Sequence, residues 1–180
     1  MHKQFIPALP ATGIGGLALA IFLAISPSLH AQVCAFSQEQ EQAVLQNANT
    51  RYPGGVLARE KREVNWALPD GGSTTFGYGG CDHLGSLAFR SVRAPAALGQ
   101  EEVIAAGREL AEQFWNARIL GDSLALDTLV SGLDRKDFIV ELSRGKTFIN
   151  VRDAAFAELY IEHSYENGFD SVGIVWQKQP

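Results

Sequence analysis

The sequence lacks the short motifs that mark several common enzyme classes. It has no Gly-x-Ser-x-Gly motif, which argues against the serine hydrolases that carry this nucleophile elbow. Glycine-rich runs such as Gly71-Gly72 and Gly79-Gly80 match neither a P-loop nor a dinucleotide-binding fingerprint. The acids Glu158, Glu162 and Glu166 lack the Asp/Asn ladder and central glycine of a calcium loop. The sequence therefore predicts no cofactor and no metal, and it favours a non-enzymatic role.

Positive charge is also scarce. The chain has 15 Lys and Arg against 20 Asp and Glu, a formal charge of −5. Proteins that bind nucleic acid or anionic membrane usually cluster Lys and Arg on one surface. The one basic run, residues 59–63, is interleaved with acids. We therefore expect no nucleic-acid partner.

The N-terminal residues 1–31 have the zones of a cleavable signal peptide. His2 and Lys3 form a short basic region, residues 13–25 form the apolar region, and Ala31 provides a small residue at the cleavage edge. The alternative is an uncleaved membrane anchor, which requires roughly 20 apolar residues. The apolar run here is shorter, so we predict export to the periplasm or outside the cell, with no stable membrane insertion after cleavage.

Only two cysteines are present, Cys34 and Cys81, and both follow the predicted cleavage site. An even pair in an exported protein favours a disulfide. The alternative, a reactive or metal-binding pair, lacks Cys-x-x-Cys spacing and a surrounding basic pocket. We predict a Cys34–Cys81 disulfide that ties the new N-terminus to the middle of the chain.

The rest of the chain, residues 32–180, predicts a single α+β domain. A Ser37–Gln40 capping box starts a first helix, and apolar residues at steps of three and four predict a second helix over residues 101–119. Alternating segments follow each helix, and the last two are joined by an Asn167-Gly168 turn. We expect helices on one face of an antiparallel sheet, and the order allows two α-βββ halves.

Four residues are candidates for catalysis. Asp82 and His83 follow Cys81, and His163 and Glu162 lie in a predicted strand. The alternative for His83 is a surface histidine beside the disulfide, and for His163 a hydrogen-bonded core histidine. If the fold brings both histidines together with a carboxylate, the set would match a zinc ligand count.

Two tyrosines are candidates for binding, Tyr78 and Tyr160. Tyr160 is in phase with Phe156, Glu158 and Glu162, which predicts a strand face that combines aromatic and acidic side chains. Such a face suits a protein partner with a basic surface. The leading hypothesis is an exported binding or inhibitory protein that acts on another protein or an envelope component. The alternatives are a small periplasmic hydrolase or metal-dependent enzyme, and a structural factor in envelope assembly.

Overall fold

The computed structural model describes residues 37–80 and 84–179, which form helices and one antiparallel sheet. The helices are α1 (Gln38–Arg51), α2 (Gln100–Phe114), α3 (Ala117–Leu120) and α4 (Leu124–Asp134). The strands are β1 (Val56–Ala58), β2 (Glu63–Ala67), β3 (Ser73–Gly79), β4 (Gly85–Arg93), β5 (Phe138–Ser143), β6 (Lys146–Val151), β7 (Phe156–Glu166) and β8 (Phe169–Lys178). The predicted signal peptide, Cys34 and the segment 81–83 lie outside the described residues.

The eight strands of the described residues follow the order β1-β2-β3-β4-β8-β7-β6-β5, and every neighbouring pair is antiparallel. Each half of the chain is a helix or helices followed by a four-stranded meander. The two meanders meet at the centre, where β4 pairs with β8. The predicted α+β fold is confirmed, with four strands in each half where an α-βββ unit has three.

The helices pack on one face of the sheet, here called the covered face. A row of buried apolar side chains crosses six adjacent strands on this face: Val64, Phe76, Ala88, Ile174, Ile161 and Ile149. Phe114 of α2 stacks on Phe76 with ring centroids 4.9 Å apart. Burial of this row against the helices provides the main hydrophobic stabilisation of the fold.

Two glycines allow helices to approach the sheet closely. A Cβ atom on Gly107 of α2 would lie 2.6 Å from the side chain of Ile161. A Cβ atom on Gly132 of α4 would lie 2.4 Å from the side chain of Val151. Both distances are too short for carbon atoms that are not bonded, so these positions accept only glycine at the present spacing of helix and sheet.

The helix predicted over residues 101–119 is divided, and this part of the prediction is wrong. The Asn116 side chain donates to the backbone carbonyls of Glu112 and Gln113, and its carbonyl accepts from the N–H of Arg118 at 3.0 Å. These bonds compete with the helical ladder, end α2 and start α3. Gly121 then ends α3 with a φ of 86°.

The Ser37–Gln40 capping box also does not form, because the Ser37 side chain makes no cap hydrogen bond. Helix α1 begins with Glu39 and Glu41 in its first turn, where their charges complement the helix dipole. Across residues 37–80 and 84–179, no helix is long and apolar enough to cross a membrane.

Candidate functional site

The sheet face opposite the helices, here called the open face, carries partly exposed apolar side chains. Leu87, Val175 and Tyr160 lie side by side on β4, β8 and β7. Phe89 and Phe148 lie in the next row, on β4 and β6. These five residues are called the open-face stripe. A contiguous apolar stripe that stays partly exposed is a common feature of interaction surfaces.

Close ring packing orders the stripe. Phe148 meets Tyr160 edge to face, with ring centroids 5.7 Å apart and an interplanar angle of 73°. The Phe89 ring lies over Gly173 of β8, where a Cβ atom would be 2.0 Å from Cε1 of the ring. Glycine at position 173 lets the ring lie flat against the sheet, so the stripe is a low surface rather than a ridge.

Glu158 lies at the border of the stripe, and Glu162 lies within it, between Gly173 and Phe148. Glu158 and Glu162 flank Tyr160 on β7, and Lys146 of β6 forms an ion pair with Glu162. Burial raises the pKa of the Tyr160 phenol above its ordinary value, and repulsion from Glu158 and then Glu162 raises it further. The phenol therefore stays neutral and able to donate a hydrogen bond beside two anionic groups.

A shallow cavity of about 360 Å³ lies beside the stripe. The glycines Gly77, Gly79 and Gly85 lie along it, and Leu87 and Val175 join it to the stripe. Glu63, Glu158 and Arg62 are the charged residues that line it. Because glycines present no side chain, this part of the open face is recessed and exposes backbone groups.

The Gly79-Gly80 segment lies against a buried acid of α1. Glu41 is 4% exposed, and its Oε1 accepts from the Gly80 N–H at 3.4 Å and pairs with Arg62 at 3.3 Å. A Cβ atom on Gly79, which has a φ of 135°, would lie 2.7 Å from the Glu41 carboxyl carbon. Glycine at position 79 therefore lets the backbone of β3 approach this carboxylate closely.

Tyr78 lies on the covered face and is 6% exposed. Its ring packs edge to face on Trp176, with centroids 6.4 Å apart. Burial raises the pKa of its phenol, with added repulsion from Asp122 and Glu41. Of the two tyrosines that the sequence suggests for binding, the structure places only Tyr160 on the open face.

Tyr160 shares the open face with Glu158 and Glu162, as its phase predicts. Phe156 does not share it, because the β7–β8 register shifts between Phe156 and Glu158. This irregularity turns Phe156 onto the covered face, where it is buried and packs on Trp176.

His163 is buried on the covered face and hydrogen-bonds to Asp170, a residue that is not among the sequence-based candidates. Its Nε2 lies 3.1 Å from Oδ2 of Asp170, and the Asp170 side chain is 1% exposed. The same oxygen accepts from the backbone N–H of Leu98 at 2.9 Å. Glu162 points to the opposite face, so the structure does not bring His163 and Glu162 together.

The other sequence candidates, Asp82 and His83, lie outside the described residues. The neighbouring residue Gly85 pairs with Gln177, whereas His163 pairs with Val172. Gln177 and Val172 are five residues apart on β8, which corresponds to about 17 Å of extended strand. Gly85 and His163 therefore pair with well-separated positions of β8. In the two described ranges, no three His, Cys, Asp or Glu side chains form a group that could hold a metal ion.

One further motif has a structural explanation. Ser143-Arg144-Gly145-Lys146 has the Ser-x-x-Lys spacing that occurs in some hydrolases. Here the two central residues form the loop of the β5–β6 hairpin, and Ser143 pairs with Lys146 across it. The Lys146 ammonium group pairs with Glu162. The motif is a hairpin turn in this chain.

Comparison with known protein families, with curated proteins and with solved structures found no match to this chain.

Proposed function

We propose that this chain is an exported, non-enzymatic binding protein whose open face binds a protein partner with a basic surface. The observation that carries the proposal is the open-face stripe itself. It combines partly exposed aromatic and aliphatic side chains with carboxylates at its border and within it, on the side of the sheet opposite the helices.

The chemistry of this face supports a partner that is both basic and partly apolar. Aromatic residues concentrate in the buried centres of interfaces, and charged residues at their rims. Tyr160 provides a rigid ring with a neutral hydroxyl group next to Glu158. Lysine or arginine side chains of the partner can lay their alkyl stems on the stripe and reach the carboxylates with their charged ends.

The recessed cavity adds a second recognition element. Its glycine residues expose backbone groups, and Glu63 and Glu158 lie at its sides. Arg62 also lines the cavity, and its guanidinium group pairs with Glu41 at 3.3 Å. A guanidinium group is planar and donates several hydrogen bonds, so it matches paired carboxylate and carbonyl acceptors. We therefore expect an arginine of the partner to enter this cavity.

A photo-crosslinking experiment tests the proposal. A photo-reactive phenylalanine analogue replaces Tyr160 in one variant and Ala105, an exposed position on α2, in a control variant. Both proteins are expressed with the leader in the source cells and irradiated. We expect Tyr160, and not Ala105, to crosslink to a basic protein.

Charge variants then test how the partner is recognised. Glu63→Gln with Glu158→Gln should reduce the crosslinking yield, and added salt should reduce it further. The matched control is Glu101→Gln with Glu112→Gln on α2, which removes the same charge from exposed positions. Equal yields in the two double variants, or crosslinking to acidic proteins, would contradict the proposal.

Export and the Cys34–Cys81 disulfide belong to the same proposal. The contact between Glu41 in the first turn of α1 and Gly80 supports the pairing, because these residues are close in sequence to the two cysteines. Intact mass measurement of the exported protein should give residues 32–180 less two hydrogens. Free thiols in the exported protein, or a retained leader, would contradict this part.

A further inference from the structure

The outer edge of β5 exposes apolar side chains and backbone groups together. Within the described residues, β5 is the end strand of the sheet and pairs only with β6. Leu142 is 83% exposed, Val140 40% and Ile139 37%. Edge strands are usually protected by lysine, proline or a bulge, and β5 contains none of these between Phe138 and Ser143.

The hairpin turn determines which backbone groups of β5 point outward. Arg144 and Gly145 have φ angles of 50° and 78°, as in a two-residue type I′ turn. The flanking pair Ser143 and Lys146 is then hydrogen-bonded, and hydrogen-bonded pairs alternate along the ladder. The N–H and C=O groups of Phe138, Val140 and Leu142 therefore point away from β6.

We propose that β5 pairs antiparallel with β5 of a second copy of this chain, with Val140 on the two-fold axis. In this register Val140 faces Val140 of the second copy, and Phe138 faces Leu142 in both directions. All three outward residues of each copy then form hydrogen-bonded pairs. The exposed Leu142 side chain packs against Phe138 of the other copy on the covered face.

Charge selects this register over its neighbours. A pairing centred on Ile139 places Glu141 opposite Asp137 of the other copy. A pairing centred on Glu141 places the two Glu141 side chains opposite each other. Like charges directly opposite are destabilising in a sheet. The pairing centred on Val140 avoids both. Beyond the strand ends it brings Asp137 near Arg144 of the second copy and places Lys136 opposite that Arg144, so the charges there are mixed.

The occupant of this edge is a second copy because the strand is complementary to itself. An isologous two-fold interface requires one surface that matches its own rotated image. On the covered-face side the apolar residues match, since Phe138 faces Leu142 and Val140 faces Val140, and on the other side Ile139 faces Glu141. The six-residue strand gives a small contact, so we expect dissociation in the micromolar range.

Sedimentation equilibrium over a range of protein concentrations measures this dimer. Val140→Pro removes an outward N–H that the monomer does not use, and should weaken the dimer roughly tenfold or more. Leu142→Lys is a second variant that keeps the backbone intact, and Val56→Lys on the opposite edge strand is its matched control. We expect Leu142→Lys to weaken the dimer and Val56→Lys to leave it unchanged.

Cysteine crosslinking tests the register. In the proposed dimer the two Val140→Cys residues face each other, with their α-carbons about 5.5 Å apart. This separation allows a disulfide to form. Leu142→Cys is more exposed but faces Phe138, so it should form no dimer disulfide above the level of the unsubstituted chain. A wild-type chain that stays monomeric at every concentration would overturn the proposal. So would crosslinking of Leu142→Cys as fast as Val140→Cys, or equal weakening by Val56→Lys.

Discussion

The ring of Phe89 lies directly over the backbone of Gly173 on the neighbouring strand, with Cε1 2.0 Å from the position that a Cβ atom would take. The pair joins the two central strands on the open face. The absence of a side chain at position 173 and the orientation of the Phe89 ring therefore depend on each other.

Gly173→Ala is expected to destabilise the fold and to lift the ring from the sheet. The new methyl group overlaps the ring, and overpacking of this kind typically costs about 1–3 kcal/mol. Chemical denaturation measures the loss in the free energy of unfolding. The same substitution in a Phe89→Ala background should cost much less, because the overlapping ring is gone. Equal costs in both backgrounds would show that the contact is unimportant.

The Tyr160 phenol is expected to titrate at higher pH than an ordinary tyrosine. Burial and the charges of Glu158 and Glu162 raise its pKa. The neutral phenol stabilises the fold fully below the unfolded pKa of about 10, and this contribution is lost as the pH rises through the folded pKa. An ultraviolet titration of tyrosinate absorbance measures the pKa of Tyr160, with Tyr160→Phe as the reference. Glu158→Gln should lower the pKa, and an unchanged value would refute the Coulombic part.

Replacement of Asp170 by alanine is expected to destabilise the protein. Asp170 Oδ2 accepts from the partly buried N–H of Leu98 and lies 3.1 Å from His163 Nε2, and both Asp170 and His163 are buried. Removal of the carboxylate leaves the Leu98 N–H and the His163 ring without this hydrogen-bond partner. A buried polar group that loses its partner costs about 1–3 kcal/mol. Thermal or denaturant unfolding measures the change. Asp153→Ala, at an exposed turn carboxylate, should cost clearly less.

Asp70 is expected to make stability depend on pH in the acid range. Its oxygens accept from the backbone N–H groups of Gly72 and Arg93, each at 3.0 Å, and these bonds lower the pKa of the carboxyl group. The stabilisation is present above the unfolded pKa of about 4 and is lost as the pH falls through the folded pKa.

Asp70→Asn should therefore be less stable than the wild type at neutral pH, and the difference should shrink in strong acid. Denaturant unfolding at a series of pH values measures both chains. Asp122→Asn serves as the control, because Asp122 is exposed and its Oδ1 accepts from the Leu124 N–H at 3.3 Å, a longer bond than either of those at Asp70. A stability difference that does not change with pH would contradict the assignment.

Hydrophobic periodicity and turn residues predicted most of the helices and strands. The Asn167-Gly168 pair forms the β7–β8 turn with φ angles of 53° and 78°, because asparagine and glycine tolerate that conformation. The same hairpin could also have revealed the His163–Asp170 contact. With Glu166 opposite Phe169, residues 163 and 170 are diagonal neighbours on one face.

Strand order was beyond the reach of local signals. The pairing of β4 with β8 depends on contacts such as Ser171 with Ser91, which are 80 residues apart in sequence. Turn residues and periodicity carry no information about such pairs. The open-face stripe was missed in part for the same reason, since Phe89 meets Gly173 only through this pairing.

The central position of β4 and β8 has a consequence for folding. Each meander can form its hairpins early from local contacts, but the seam between them needs a long loop to close first. Until then both β4 and β8 are open edges that carry apolar residues such as Leu87 and Val175. The interval before the seam closes is therefore when this chain is most exposed to aggregation.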